Sequence, residues 1–101
     1  MTTYMIFLKE ETFDANLLDR YVEKGLPTFQ QSAGTALAFN GSHQMLEGEP
    51  LEGIVILGFP SREDALAWYE SPAYQEAAIL RKEASRFSVM MVEGLAADTI
   101  P

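Results

Sequence analysis

Cysteine is absent from the 101-residue chain, which excludes disulfide scaffolds, zinc fingers and thiol nucleophiles. Histidine occurs once, at His43. With no thiolate, no paired-histidine motif and no EF-hand spacing, no metal is expected. Basic residues are scarce: Lys+Arg total 7 against 15 Asp+Glu, giving a formal net charge of −8 and a pI of about 4.4. A nucleic-acid groove needs concentrated Lys and Arg, so that class of partner is not expected. No apolar run reaches the ~18 residues of a membrane span. The opening Met1-Thr2-Thr3-Tyr4 lacks the basic and long apolar regions of a signal peptide. A cytoplasmic protein of a bacterium is therefore expected. The glycines are scattered, forming neither a phosphate loop nor a nucleophile elbow, and no cofactor is expected.

What remains is a chain rich enough in apolar matter to fold alone. A hydrophobic fraction of 48% and an aromatic fraction of 11% argue for a packed globule. The length fits one domain, expected over residues 1–95, with 96–101 as a tail.

Tyr4 to Leu8 is an apolar, aromatic and β-branched run bounded by Lys9-Glu10-Glu11, and reads as a strand buried on both faces. Thr12 or Asp14 then caps a helix with Leu17, Leu18, Tyr21 and Val22 on one face. Gly25 and Pro27 are expected to interrupt it, with a kinked continuation to Ser32 and a stop at Gly34. Thr35 to Phe39 is a weaker strand, Asn40-Gly41 a turn, and Gln44-Met45-Leu46 a possible return to extended chain. Ile54 to Phe59 is the clearest strand, ended by Pro60. Ser61 with Asp64 opens a helix bearing Ala65, Trp68 and Tyr69. Ser71-Pro72 breaks that helix, Ala73 to Ser85 resumes it, and Phe87 to Val92 is the last strand.

The order strand, helix, strand, strand, helix, strand suits an α+β fold of the ferredoxin-like βαββαβ type. Its four-stranded antiparallel sheet carries both helices on one face. The other face would alternate to polar if it met water, yet strands one, three and four do not alternate. An exposed apolar sheet face of several hundred Å² is rarely tolerated by monomers. At about 25 cal/mol per Å², hiding even ~800 Å² per subunit favours association substantially. A homodimer joined through its sheet faces into an α/β barrel is expected.

The run from Phe59-Pro60-Ser61-Arg62-Glu63-Asp64-Ala65-Leu66-Ala67-Trp68 through Tyr69-Glu70-Ser71-Pro72-Ala73-Tyr74-Gln75 resembles the signature of domain-of-unknown-function family 1330. Leu46-Glu47-Gly48, Val92-Glu93-Gly94, and Tyr21 followed by Pro27 fit the same pattern. His43 ahead of Leu46-Glu47-Gly48 is similar to one branch of it. The resemblance covers Tyr4 to Gly94. It implies a dimeric α/β barrel related in fold to small isomerases, cofactor-free monooxygenases and stress-responsive barrel proteins, with no defined activity. Many members carry Arg on the second strand near the positions that are Thr35 and Phe39 here, and the preceding Gly-Gly is Ala33-Gly34 in this chain.

Among chemistry-bearing residues, His43 is a candidate general base, histidine being the side chain that titrates near neutrality; the plain alternative is a surface histidine after a turn. Glu47 is a candidate carboxylate base at a pocket rim, or simply a solvated loop residue. If residues 43–47 are extended, the two lie about 13 Å apart, and only a turn or a meeting across the dimer would pair them. Trp68 and Tyr69 are candidates to line a ligand pocket, though aromatics on such helices are commonly core or interface anchors. Arg81 could hold a substrate carboxylate by a bidentate contact. It could equally pair with Glu47 or Glu93, or face water.

Taken together, the residues point to a small homodimeric barrel binding an apolar or acidic metabolite between sheet and helices. If enzymatic, cofactor-free isomerisation or oxygenation fits best. The alternative is a non-catalytic binding or regulatory module whose interior is filled by Met5, Phe7, Met90 and Met91.

Overall fold

A computed structural model describes residues 1–96; of the expected tail, 97–101 lie outside the described residues. The elements run β1 (Thr3–Thr12), α1 (Ala15–Gln30), β2 (Thr35–Phe39), β3 (Gly53–Phe59), α2 (Arg62–Tyr69), α3 (Pro72–Ala84) and β4 (Ser85–Glu93). All pairings are antiparallel and the strand order is β2-β3-β1-β4. This is the ferredoxin-like α+β sheet, with the second helical segment divided at Ser71-Pro72.

The cross-strand register sorts the side chains into two faces. Met5 stands opposite Leu57 and Met91, and Phe7 opposite Val55 and Val89. These residues lie under the helices: Phe29 of α1 meets Phe59 edge-on at 5.9 Å, Trp68 of α2 stacks on Phe59 at 5.8 Å, and Tyr74 of α3 packs against Trp68 at 4.3 Å. Ile6, opposite both Ile56 and Met90, belongs to the other face. There Leu37, Met90 and Val92 are 55%, 43% and 51% exposed. The absence of alternation in the strands thus has a physical counterpart, one apolar face beneath helices and a second that no described residue covers. The four residues expected to fill a barrel interior together are split: Met5, Phe7 and Met91 are on the helix side and only Met90 is on the open face.

Several boundaries differ from the sequence expectation, each for a local reason. β1 runs on through Lys9-Glu10-Glu11 because Arg86 pairs with Glu11 at 3.1 Å and lies 3.7 Å from Glu10, which gives the charges partners at the sheet's end. α1 is not interrupted at Gly25 or Pro27. The Gly25 carbonyl accepts from Thr28 Oγ1 at 2.6 Å, and an added Cβ at Gly25 would sit 3.6 Å from Ala77 Cβ. Close packing of α1 on α3 therefore holds the helix together where local propensity would break it. Asp14 is the N-cap, accepting from the Leu17 amide at 3.0 Å. The helix ends at Gln30 rather than Ser32, and Gly34 is required for a different reason than a helix stop. A Cβ there would lie 2.6 Å from both the Phe29 and Phe59 rings.

Gln44 to Leu46 do not return to extended structure. Asn40 takes a left-handed φ of 52° and turns the chain away from the sheet, and residues 41–50 are exposed. Ser61 caps α2 as expected from Ser61 and Asp64, its Oγ accepting from the Asp64 amide at 3.1 Å. α3 passes into β4 without a connecting loop, Ser85 being both the helix cap and the first strand residue.

Candidate functional site

Between α1 and the helix side of the sheet lies a cavity of about 380 Å³, within the size range of small-molecule sites (roughly 300–1,000 Å³). Its walls come from every layer of the fold: Phe7 and Phe87 from the sheet, Leu18, Tyr21 and Phe29 from α1, and Trp68 and Tyr74 from α2 and α3. Lys9, Asp19, Gln30 and Asn40 add polar groups to the lining.

The polar core of the site is assembled by the break between α2 and α3. Ser71 caps α3 through the Tyr74 amide at 3.2 Å while its hydroxyl donates to the Trp68 carbonyl at 2.7 Å. That turn sets the Trp68 and Tyr74 rings side by side. Trp68 Nε1 donates to Thr28 Oγ1 on α1 at 3.0 Å, so the indole's one polar atom is satisfied. The Tyr74 hydroxyl meets that of Tyr21 at 2.8 Å. Two hydroxyls carry two protons and this contact uses one, leaving one donor of the pair free.

Arg81 stands two turns beyond Tyr74 on α3 and is 4% exposed. Its Cζ lies 5.7 Å from the Phe7 centroid, 5.9 Å from Tyr21 and 5.5 Å from Phe87, within reach of cation–π attraction. All three rings line the cavity. Arg81 itself also lines a second recess with Tyr69, Lys82, Ser85 and Arg86, so it stands in the wall between the two. Among the described residues its Nε and Nη2 are buried and make no hydrogen bond of good geometry, although the Tyr21 and Tyr74 hydroxyls stand close enough for Arg81 to act on both as a donor. Neither Glu47 nor Glu93 pairs with it, and among the described residues no carboxylate lies within ion-pair distance of it.

Burial raises the Tyr21 hydroxyl far above the ordinary phenol value, with the Tyr74 hydroxyl adding to the rise and the Arg81 charge opposing it. Tyr74 is raised for the same leading reason, burial, against the pull of Arg81. Burial alone would lower Arg81, but the Tyr74 and Tyr21 hydroxyls outweigh it and the guanidinium is held above its usual value. The site therefore holds two neutral phenols beside a permanent cation.

The sequence candidates divide into two groups. Trp68, Tyr69 and Arg81 come together, with Tyr69 5.4 Å from the Tyr74 ring and Trp68 6.3 Å from Tyr69. His43 and Glu47 are exposed on the 40–52 segment and neither is in the lining of the cavity. The His43 Nε2 instead contacts the Leu51 carbonyl at 2.9 Å, tying that segment to itself. Tyr21 figures in the sequence reading as part of an apolar helix face and of the family pattern with Pro27, not as a site residue. The usable signal was its phenol, which requires a buried partner once that face is packed.

Fold and site define a small ferredoxin-like α+β domain with an aromatic cavity under its helices. The chain belongs to the family described as domain of unknown function DUF1330, whose model matches residues 2–95. No curated protein matches. Among solved structures, a protein of unknown function from Rhodopseudomonas palustris is similar at 18% identity and a TM-score of 0.75, over 94% of this chain and 83% of that one. A dimeric protein of unknown function and ferredoxin-like fold from Bacteroides fragilis is 13% identical, with a TM-score of 0.63 over 92% and 96% of the two chains. A candidate antibiotic biosynthesis monooxygenase from Nitrosomonas europaea is 12% identical, with a TM-score of 0.66 over 95% and 92%. At these identities the likeness is one of fold. Among the described residues no helix is long and apolar enough to cross a membrane, and no cluster of three His, Asp or Glu is placed to hold a metal.

Proposed function

We propose that this chain is a homodimeric barrel whose cavity binds a small, largely apolar molecule. The observation that carries the reading is the aromatic cavity under α1, whose wall includes the buried Tyr21–Tyr74 hydroxyl pair. Packed interiors leave few voids larger than a water, and an apolar pocket with a few convergent polar groups is the usual form of a binding site. Of the residues proposed to bind a ligand, Trp68 lines this cavity, while Tyr69 and Arg81 line the adjoining recess.

Self-association is proposed through the open sheet face, where Tyr4, Ile6, Leu8, Ile54, Ile56 and Met90 form an apolar surface with Ser88, Glu10 and Arg86 at one end. A second copy is the occupant that such a face fits, because a two-fold axis lays the same apolar surface on itself. The Bacteroides fragilis neighbour is described as dimeric, which supports the same reading. The helix-side cavity stays free in that arrangement.

The fold of the monooxygenase-like neighbour is compatible with cofactor-free isomerisation or oxygenation, but fold does not fix function. His43 and Glu47, the two candidate acid–base residues, stand outside this cavity, so binding is the function that the geometry favours over catalysis.

Native mass spectrometry tests both halves. A mass near 2 × 11.2 = 22.4 kDa supports the dimer, and a monomer at micromolar concentration removes it. Trp68 is the only tryptophan and lines the cavity, so its emission reports occupancy directly. Small aromatic molecules should change that emission in the wild type and fail to do so in Ala36→Phe, which fills the cavity from its β2 side. An unchanged response in that variant would remove the cavity as the site.

A further inference from the structure

We infer that the segment joining β2 to β3 is an arm that each protomer lays into the recess beside β4 of a second copy; the inference rests on the sheet-face dimer proposed above. Residues 41–52 carry Glu47, Glu49 and Glu52 with no Lys or Arg. In their middle Leu46 is 86% exposed and Met45 37%, an apolar point flanked by carboxylates. The arm already has a fixed shape. His43 Nε2 contacts the Leu51 carbonyl at 2.9 Å, Gly48 takes a positive φ of 99°, and Glu52 accepts from Thr12 Oγ1 at 2.6 Å. A preformed segment loses little freedom on docking, which lowers the cost of association.

The recess is the arm's complement. Phe13, Tyr69 and Val89 give it apolar walls, and Arg81, Lys82 and Arg86 bring to it three of the chain's 7 basic residues. The chain has 15 acidic residues, yet among the described residues none is in that lining. Arg81 is buried and Arg86 is engaged by Glu10 and Glu11. Lys82, exposed and in no ion pair among the described residues, is the cation open to a carboxylate of the arm. The arm does not enter the recess of its own chain, whose lining includes no residue of 41–52. β2 and β4 are opposite edges of the sheet, about 14 Å apart at ~4.8 Å per strand. Symmetry brings arm and recess together. The pairs Phe39↔Val55, Lys9↔Gly53 and Thr12↔Ser85 put the end of β2 and the start of β4 at the same end of the sheet. A two-fold axis running along the strands between two facing sheets reverses strand order and keeps that end. It therefore lays β2 of one protomer over β4 of the other, and the arm emerges where the partner's β4 begins. An axis across the strands would carry the arm to the far end; the match of charge and apolar surface selects the first.

A carbodiimide, which joins a carboxylate to an amine with no spacer, tests the contact in the unmodified chain. Protein labelled with nitrogen-15 is refolded together with unlabelled protein, treated with the reagent, digested and read by mass spectrometry. The expected product is a covalent dimer in which Lys82 is linked to Glu47 or Glu49, with mixed isotopes marking the link as one between protomers. Lys82→Arg, which keeps the charge and lacks the reactive amine, should lose that product. Leu46→Asp should raise the dimer dissociation constant in analytical ultracentrifugation by at least ~10-fold, as loss of an interface anchor does. Leu46 is exposed within its own chain, so the folding of the protomer is not at issue in that variant. A link of Lys82 to other carboxylates only, a link confined to one chain, or a Leu46→Asp dimer within about 2-fold of the wild type overturns the arm while the sheet-face dimer stands. A monomeric wild type overturns both.

Discussion

The Tyr21–Tyr74 hydroxyl pair joins α1 to α3 across 53 residues of sequence at 2.8 Å, and its energetics can be taken apart by substitution. Tyr74 is 1% exposed and packs against Trp68, Tyr69 and Tyr21, so Tyr74→Phe keeps the ring and removes only the hydroxyl. It loses a hydrogen bond and strands the Tyr21 oxygen, and is expected to cost about 1–3 kcal/mol. Tyr21→Phe is the mirror case, with a cost of the same order. The double variant removes both oxygens and strands neither, so its cost should be no larger than that of either single change. A coupling of about 0.5–3 kcal/mol between the two positions follows. Urea unfolding at fixed protomer concentration measures it, because stability of a dimer depends on concentration. Each kcal/mol should also shift the melting midpoint by roughly 4–8 °C in a chain of this size. If the two single costs simply add in the double variant, the hydroxyls do not depend on one another and the reasoning fails.

Because burial raises both phenols, the folded state holds two protons that the unfolded chain releases near pH 10. The unfolded state then binds fewer protons, so stability should fall as pH rises above about 10; absorbance at 295 nm followed beside circular dichroism should show the two ionising with unfolding, and an unchanged alkaline midpoint in the double Phe variant would refute this. Gly34→Ala places a methyl 2.6 Å from the Phe29 and Phe59 rings and should destabilise by about 1–3 kcal/mol in chemical denaturation. Ile6→Asp sets a charge at the centre of the open face and should halve the mass seen by size-exclusion chromatography with light scattering; a dimer that persists would place the interface elsewhere. His43→Ala and Glu47→Gln should each leave the Trp68-detected binding of small aromatics unchanged within about 2-fold, since neither side chain lines the cavity.

How much of this was legible in the sequence depends on whether the cause was local. Strand β3, the Ser61 cap and the break at Ser71-Pro72 follow from residues adjacent in the chain, and all were readable. The open sheet face was readable from strands that fail to alternate. Tertiary causes were not: α1 continues through Pro27 because α3 packs on Gly25, and β1 runs on into charged residues because Arg86 lies across the sheet to receive them. The site divides on the same line. Trp68 and Tyr69 announce themselves as neighbours in one motif, whereas the meeting of Tyr21 with Tyr74 exists only once α1 and α3 pack. His43 drew notice as the sole histidine, but Asn40 turns its segment outward, a backbone event that no side-chain type reveals.

The motif that marks the family and the cavity that offers a function are largely one piece of chain. Between Trp68 and Tyr74 the helix stops, Ser71 caps the next one, and the two rings are brought to 4.3 Å. A continuous helix would set residues six apart on different faces, so the break is what allows both aromatics to look into one space. From Tyr74, the stripe through Ala77, Ala78 and Arg81 continues along α3 as buried residues; Ala77 lets α1 approach at Gly25, and Ala78 packs into the core beneath. Larger residues there would lift α1 and separate Tyr21 from Tyr74 while leaving the strands in place. The small residues of α3 therefore govern the distance between the phenols and the guanidinium below them. Sequence changes at Ala77 or Ala78 should alter binding before they alter the fold.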